Sequence, residues 1–83
     1  MTPELAFASV LRELRGARGL SQEKLGFEAG YHRTYISMLE RGLMNPSLRT
    51  ILQIGSALQA TGAEIVAKVE NVLDSNKADW KRC

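Results

Sequence analysis

Residues 21–51, SQEKLGFEAGYHRTYISMLERGLMNPSLRTI, decide the fold of this 83-residue chain. Ser21 opens the stretch as a helix cap. Its hydroxyl can accept the backbone N–H of Glu23 or Lys24, and Glu23 suits the positive end of the helix. Leu25 and Ala29 fall on one face at i, i+4, and Gly30 stops the helix at a position free to adopt positive φ. A second helix restarts around Arg33, with Ile36 and Leu39 directed inward. Tight turns carrying glycine join two such helices at a steep angle. The outward face of the second helix is then Arg33, Thr34, Tyr35, Ser37, Met38 and Arg41. Cationic, hydrogen-bonding and methyl-bearing groups are what DNA base edges and phosphates require, so the second helix is expected to enter a major groove.

Upstream, Thr2-Pro3-Glu4 reads as a helix start: a hydroxyl cap, proline in the first turn and an acid on the dipole. Phe7, Val10, Leu11 and Leu14 form its apolar stripe, and the Gly16 to Gly19 stretch ends it. Downstream, Asn45-Pro46-Ser47 marks a loop and a new cap, followed by a stripe of Leu48, Ile51, Leu52, Ile54 and Leu58. Residues 59–62 read as a turn and 63–73 as a fifth helix, whose apolar face is Ile65, Val66, Val69, Val72 and Leu73. From Asp74 onward the chain is polar with Trp80 isolated, and fraying is expected. No repeat, strand pattern or low-complexity tract interrupts this reading. The expected fold is all-α, a five-helix bundle with a helix-turn-helix at helices two and three. Residues 1–60 would form the DNA-binding core, 61–74 a fifth helix for dimerisation and 75–83 a flexible tail.

Composition narrows the function. A single small domain buries too little apolar surface for a large stability margin, and oligomerisation is a common remedy. No long apolar run predicts a transmembrane helix, and the start lacks the basic and apolar regions of a signal peptide, so a cytoplasmic, nucleoid-associated protein is expected. Cys83, the single cysteine, has no partner for a disulfide or a metal site, and its bland reading is an incidental tail residue. The net charge of +2 is modest for a DNA binder, so its distribution matters more. From Tyr31 to Thr50 the one acid is Glu40, against Arg33, Arg41 and Arg49.

The signature Ser21-Gln22-Glu23, Leu25, Ala29-Gly30, Ile36-Ser37, Leu39-Glu40-Arg41-Gly42 and Pro46-Ser47-Leu48 resembles the Cro/C1-type helix-turn-helix of the XRE family. That family includes phage repressors and small bacterial regulators, and the resemblance runs over residues 5–58. RTYIS followed by LERG in an undivided short chain looks most like the controller proteins of restriction–modification systems. The resemblance implies a lambda-repressor-like DNA-binding bundle in which Arg15 and Glu40 pair inside the domain. Read from the residues alone, both could instead be solvated charges. The chain departs from the family at three places. His32 stands where Ser or Thr usually caps the recognition helix, so that cap should be weaker or supplied otherwise. Gly26 and Gly55 stand where Ala is common, each at a cost of about 1 kcal/mol in helix propensity. Close helix approach and simple tolerance explain them equally well.

The candidate base contacts are Arg33, Thr34, Tyr35, Ser37 and Met38. The Arg33 fork matches guanine O6 and N7, though it can equally grip a phosphate. Tyr35 can meet a thymine methyl or base edge, or pack against the domain or a sugar–phosphate chain. Met38 can serve as a core gap-filler. The candidate backbone contacts are Gln22, His32, Arg41, Asn45, Arg49 and Thr50. Gln22 can offer its amide and a helix N-terminus to a phosphate, or be an ordinary first-turn residue. His32 can cap or donate to a phosphate, and Arg41 can reach the minor groove or backbone. The family implies phosphate clamping by Asn45, Arg49 and Thr50. Ile65, Val66, Val69, Val72 and Leu73 are the candidate dimer interface, unless the fifth helix folds back to complete the monomer core.

Three functions are in play. One is a homodimeric regulator on an inverted-repeat double-stranded operator, acting on its own gene. Another is an antitoxin or repressor-partner protein of the same fold that masks a second protein. An enzyme has almost nothing in its favour: one His, one terminal Cys, no phosphate-binding glycine loop and no paired catalytic acids. No cofactor or metal is expected.

Overall fold

The computed structural model describes residues 1–75, and five helices carry them: α1 (Pro3–Ala17), α2 (Gln22–Ala29), α3 (Arg33–Glu40), α4 (Leu48–Leu58) and α5 (Gly62–Ser75). There is no strand among the described residues. Trp80 and Cys83 lie outside them, and α5 continues through Asp74 and Ser75, which were expected to fray. Among the described residues, no helix is long and apolar enough to cross a membrane.

Local chemistry sets the helix starts. Thr2 Oγ1 accepts the Leu5 N–H at 3.2 Å, Ser21 Oγ the Lys24 N–H at 3.0 Å and Ser47 Oγ the Thr50 N–H at 3.0 Å. The fifth helix begins one residue earlier than its apolar pattern suggests, because Thr61 and Glu64 form a reciprocal capping box. Thr61 Oγ1 accepts the Glu64 N–H at 3.0 Å, while Glu64 Oε1 accepts the Thr61 N–H at 2.9 Å. That backbone hydrogen bond holds the Glu64 carboxyl below the usual glutamate value. At the other end of α2, Gly30 takes φ of 84°, the left-handed conformation that lets the chain turn sharply into α3.

The core gathers one face of every helix: Phe7, Val10 and Leu11 from α1, Leu25 and Ala29 from α2, Ile36 and Leu39 from α3, Ile54 and Leu58 from α4 and Ile65 from α5. The fifth helix packs on α1 and α4, and this corrects part of the expected dimer interface. Ile65 is 2 % and Leu73 3 % exposed within the single chain, so neither has surface left to bury against a second copy. Val69 and Val72 are half-buried against the core, while Val66 is exposed. A second correction concerns α4. Leu48 and Leu52 continue its apolar stripe but face solvent, at 72 % and 53 % exposure, since the core reaches only Ile54, Leu58 and part of Ile51. Close approach accounts for two glycines at helix interiors. A Cβ on Gly26 would lie 2.5 Å from the Tyr31 carbonyl oxygen, and one on Gly55 2.6 Å from that of Ala60.

Candidate nucleic-acid interface

The helix α3 is held from behind by a charge cluster. Glu40, its last residue, is buried at 3 % exposure. Its carboxylate accepts Arg15 Nε at 2.5 Å, Arg15 Nη2 at 3.0 Å and Gln22 Nε2 at 3.0 Å. Arg15 Nη1 also donates to the Leu20 carbonyl at 2.8 Å, and the Arg12 guanidinium donates to the Glu40 carbonyl. Such a forked, multiply bonded arrangement is what a buried carboxylate needs in place of water. The hydrogen bond to Glu40 raises the Arg15 pKa above its ordinary value, against the opposing effect of burial. Gln22 therefore differs from its expected role. Its amide turns inward to the buried carboxylate, which draws the nearest free donor, and the side chain is not aimed at a phosphate.

The outward side of α3 is open. Arg33 and Thr34 are exposed, and Ser37 and Met38 are half-buried along the same helix. Arg33 Nη1 lies 3.8 Å from Glu23 Oε2, with the two side chains 66 % and 77 % exposed. A pair so open to water contributes about 0–1 kcal/mol, so the guanidinium is free to change partner. His32 supplies the cap that Ser or Thr would give: its Nδ1 accepts the Thr34 N–H at 3.0 Å. With Nδ1 accepting, a neutral ring carries its proton on Nε2 and offers it outward. Tyr35 is half-buried, its ring centre 5.0 Å from that of Tyr31 and its hydroxyl 3.3 Å from Thr50 Oγ1.

Arg41 follows α3 at its C-cap, Asn45 lies in the loop and Arg49 in the first turn of α4; all three are exposed. Thr50 departs from its expected role as a phosphate contact. It is 3 % exposed, its hydroxyl sits among those of Tyr31, Tyr35 and Ser47, and its N–H is taken by Ser47. Sequence reasoning missed Arg12, Tyr31 and Gln53 altogether. Nothing local marks them, since each acts on a residue at least nineteen positions away. With Glu40 neutralised by Arg15, the exposed surface of α3, the loop after it and the first turn of α4 carries Arg33, Arg41 and Arg49, with Glu23 of α2 as the flanking acid. Among the described residues, no group of three or more His, Cys, Asp or Glu side chains is placed to hold a metal ion.

Residues 11–65 match the helix-turn-helix family. Control protein C.BamHI of Bacillus amyloliquefaciens is 49 % identical over 55 residues, which cover 65 % of this chain and 68 % of that protein. An uncharacterized HTH-type transcriptional regulator of Sinorhizobium fredii, y4dJ, is 35 % identical over 57 residues, covering 69 % of this chain and 74 % of its own. Among solved structures, the restriction-modification controller protein C.AhdI from Aeromonas hydrophila superposes with a TM-score of 0.73 at 45 % identity, over 75 % of this chain and 94 % of that one.

Proposed function

The chain belongs to the helix-turn-helix family, and from that premise we propose that it is a DNA-binding transcriptional regulator of the restriction–modification controller kind, acting as a homodimer on an inverted-repeat operator. The observation that carries this reading is the pairing of an inward clasp with an outward basic face on one short helix. Arg15, Gln22 and Glu40 lock α3 to α1 and α2, and Arg33 and Thr34 project from its first turn. In the groove, Arg33, Thr34 and Tyr35 read bases, with Ser37 and Met38 further along the face. Arg41, Asn45, Arg49 and the His32 ring grip the backbone, and the protein acts in the cytoplasm on nucleoid DNA.

The proposed dimer contact uses what the monomer leaves exposed. Leu52 lies over the start of α5, where a Cβ on Gly62 would come within 2.7 Å of its Cδ2. Val66 lies one turn along that helix and Val69 three residues further, extending the apolar surface that Leu48 and Leu52 begin. Footprinting on the DNA around its own gene tests the whole reading. Two protected half-sites on one face are expected, with centres ~34–36 Å apart. A single half-site filled by one monomer at full affinity overturns it.

A second reading, in which the same fold also binds a protein encoded beside it, is favoured by Phe27. This ring is 80 % exposed on α2, with the Lys24 ammonium over it at 5.7 Å. Neighbouring nuclease and methyltransferase genes support the controller reading; a neighbouring toxin gene supports the second.

A further inference from the structure

Behind α3, four hydroxyls and one amide form a hydrogen-bond chain whose proton order is set by its far end. That end is the Ala29 carbonyl, which can only accept, and it takes Gln53 Nε2 at 3.2 Å. The Gln53 oxygen is thereby turned to the Tyr31 hydroxyl, which donates to it at 3.2 Å. Tyr31 has one proton and has now used it, so its 3.1 Å contact with Thr50 Oγ1 is a bond donated by Thr50. Thr50 has then used its own proton. Its contacts with Ser47 Oγ at 2.9 Å and the Tyr35 hydroxyl at 3.3 Å are both ones in which it accepts, and they fill its two lone pairs. Ser47 still accepts the Thr50 N–H on its own oxygen. One arrangement satisfies every contact, and in it the Tyr35 proton points inward.

We infer that Tyr35 reads DNA as an acceptor only and selects a base that presents an exocyclic amine in the major groove. The inference rests on the proposed reading of α3 as the groove-facing helix. Adenine N6 and cytosine N4 can donate to the phenolic oxygen, whereas guanine O6 and thymine O4 repel it. Phosphate oxygens are acceptors too, so a Tyr35 with its proton turned inward gains nothing from the backbone. No second hydrogen-bond partner of the Tyr35 hydroxyl exists among the described residues. Turning that proton outward forfeits the Thr50 bond, or keeps it only if the order through Thr50 and Tyr31 reverses, and Thr50, nearly sealed from water, has no solvent partner to replace it. Tyr31, Thr50 and Gln53 are thus positioning residues: they fix the polarity of a contact made by another side chain.

Selection of binding sites by the full chain from a randomised duplex pool tests this, with Arg33→Ala, Tyr35→Phe, Tyr31→Phe and Thr50→Val run in parallel after thermal melts. Wild type should enrich an inverted repeat in which one base pair per half-site carries A or C, interchangeably, on one and the same strand, over the flipped pairs by about tenfold, the effect of one good base contact. Tyr35→Phe should level that position. Tyr31→Phe keeps the Tyr35 hydroxyl but frees the Thr50 proton, so the amine preference should fall toward parity there while the rest of the consensus persists. Thr50→Val, similar in shape, should do the same, so that a folding defect in either variant leaves the other decisive. A Tyr35-dependent pair that admits both orientations, or that groups A with G on one strand, overturns the inference. So does an amine preference that survives loss of either hydroxyl, or a consensus indifferent to Tyr35→Phe. A pool yielding no wild-type consensus, or one untouched by Arg33→Ala, overturns the parent reading and this one with it.

Discussion

A carboxylate as enclosed as that of Glu40 is tolerable only while it is paired. Arg15→Ala leaves it a single side-chain bond, from Gln22, and should cost about 3 kcal/mol, seen as a lower denaturant midpoint with an unchanged slope. The exposed arginines answer to a different measurement. Arg33→Ala should weaken binding to the selected operator by about 1–3 kcal/mol and leave random DNA little changed. Arg49→Ala should weaken both and reduce the salt slope by about one. Equal losses for Arg33→Ala on the two DNAs would make it a phosphate clamp.

Among the helices, α5 shows how a local signal and a tertiary one differ. Thr61→Ala removes the hydroxyl half of its capping box and should cost about 1 kcal/mol, with faster amide exchange in the first turn of α5 as the readout. The Glu64 half is pH-dependent. Its carboxyl is held below its unfolded value, so the stability it contributes is present above the ordinary glutamate range and fades as pH falls through the lowered folded value. Glu64→Gln should flatten that acid limb of the melting curve. Helix starts and glycine stops were legible in the sequence because caps and periodicity act within four residues, as at Ser21, Gly30 and Ser47. What each stripe packs against was not. Ile65 and Leu73 carry the same pattern whether they meet a second copy or their own α1 and α4, and the α4 stripe does not say that the core stops short of Leu48 and Leu52. Gln22 and Thr50 were misplaced for the same reason: the groups that claim them, Glu40 and Tyr31, come from other elements.

For the molecule as a whole, the proposed dimer matters because one short helix can read only a short half-site, and two copies would double the information. Val66→Asp places a carboxylate on the exposed apolar face of α5 without touching the monomer core, so sedimentation should find a folded monomer. A dimer of unchanged strength would move the interface elsewhere. In the proposed dimer, dimerisation and operator binding are linked, so occupancy should rise more steeply than linearly wherever monomers prevail, and Val66→Asp should abolish that steepness. The Arg15–Glu40 clasp has a consequence on another timescale. Either residue lost alone strands a buried charge or its partner, while an apolar pair of similar volume can be as stable as the ion pair. Descendants of this chain can therefore leave the ion pair only by crossing a destabilised intermediate. The two positions, 25 residues apart, should be inherited as one character, kept together or exchanged together.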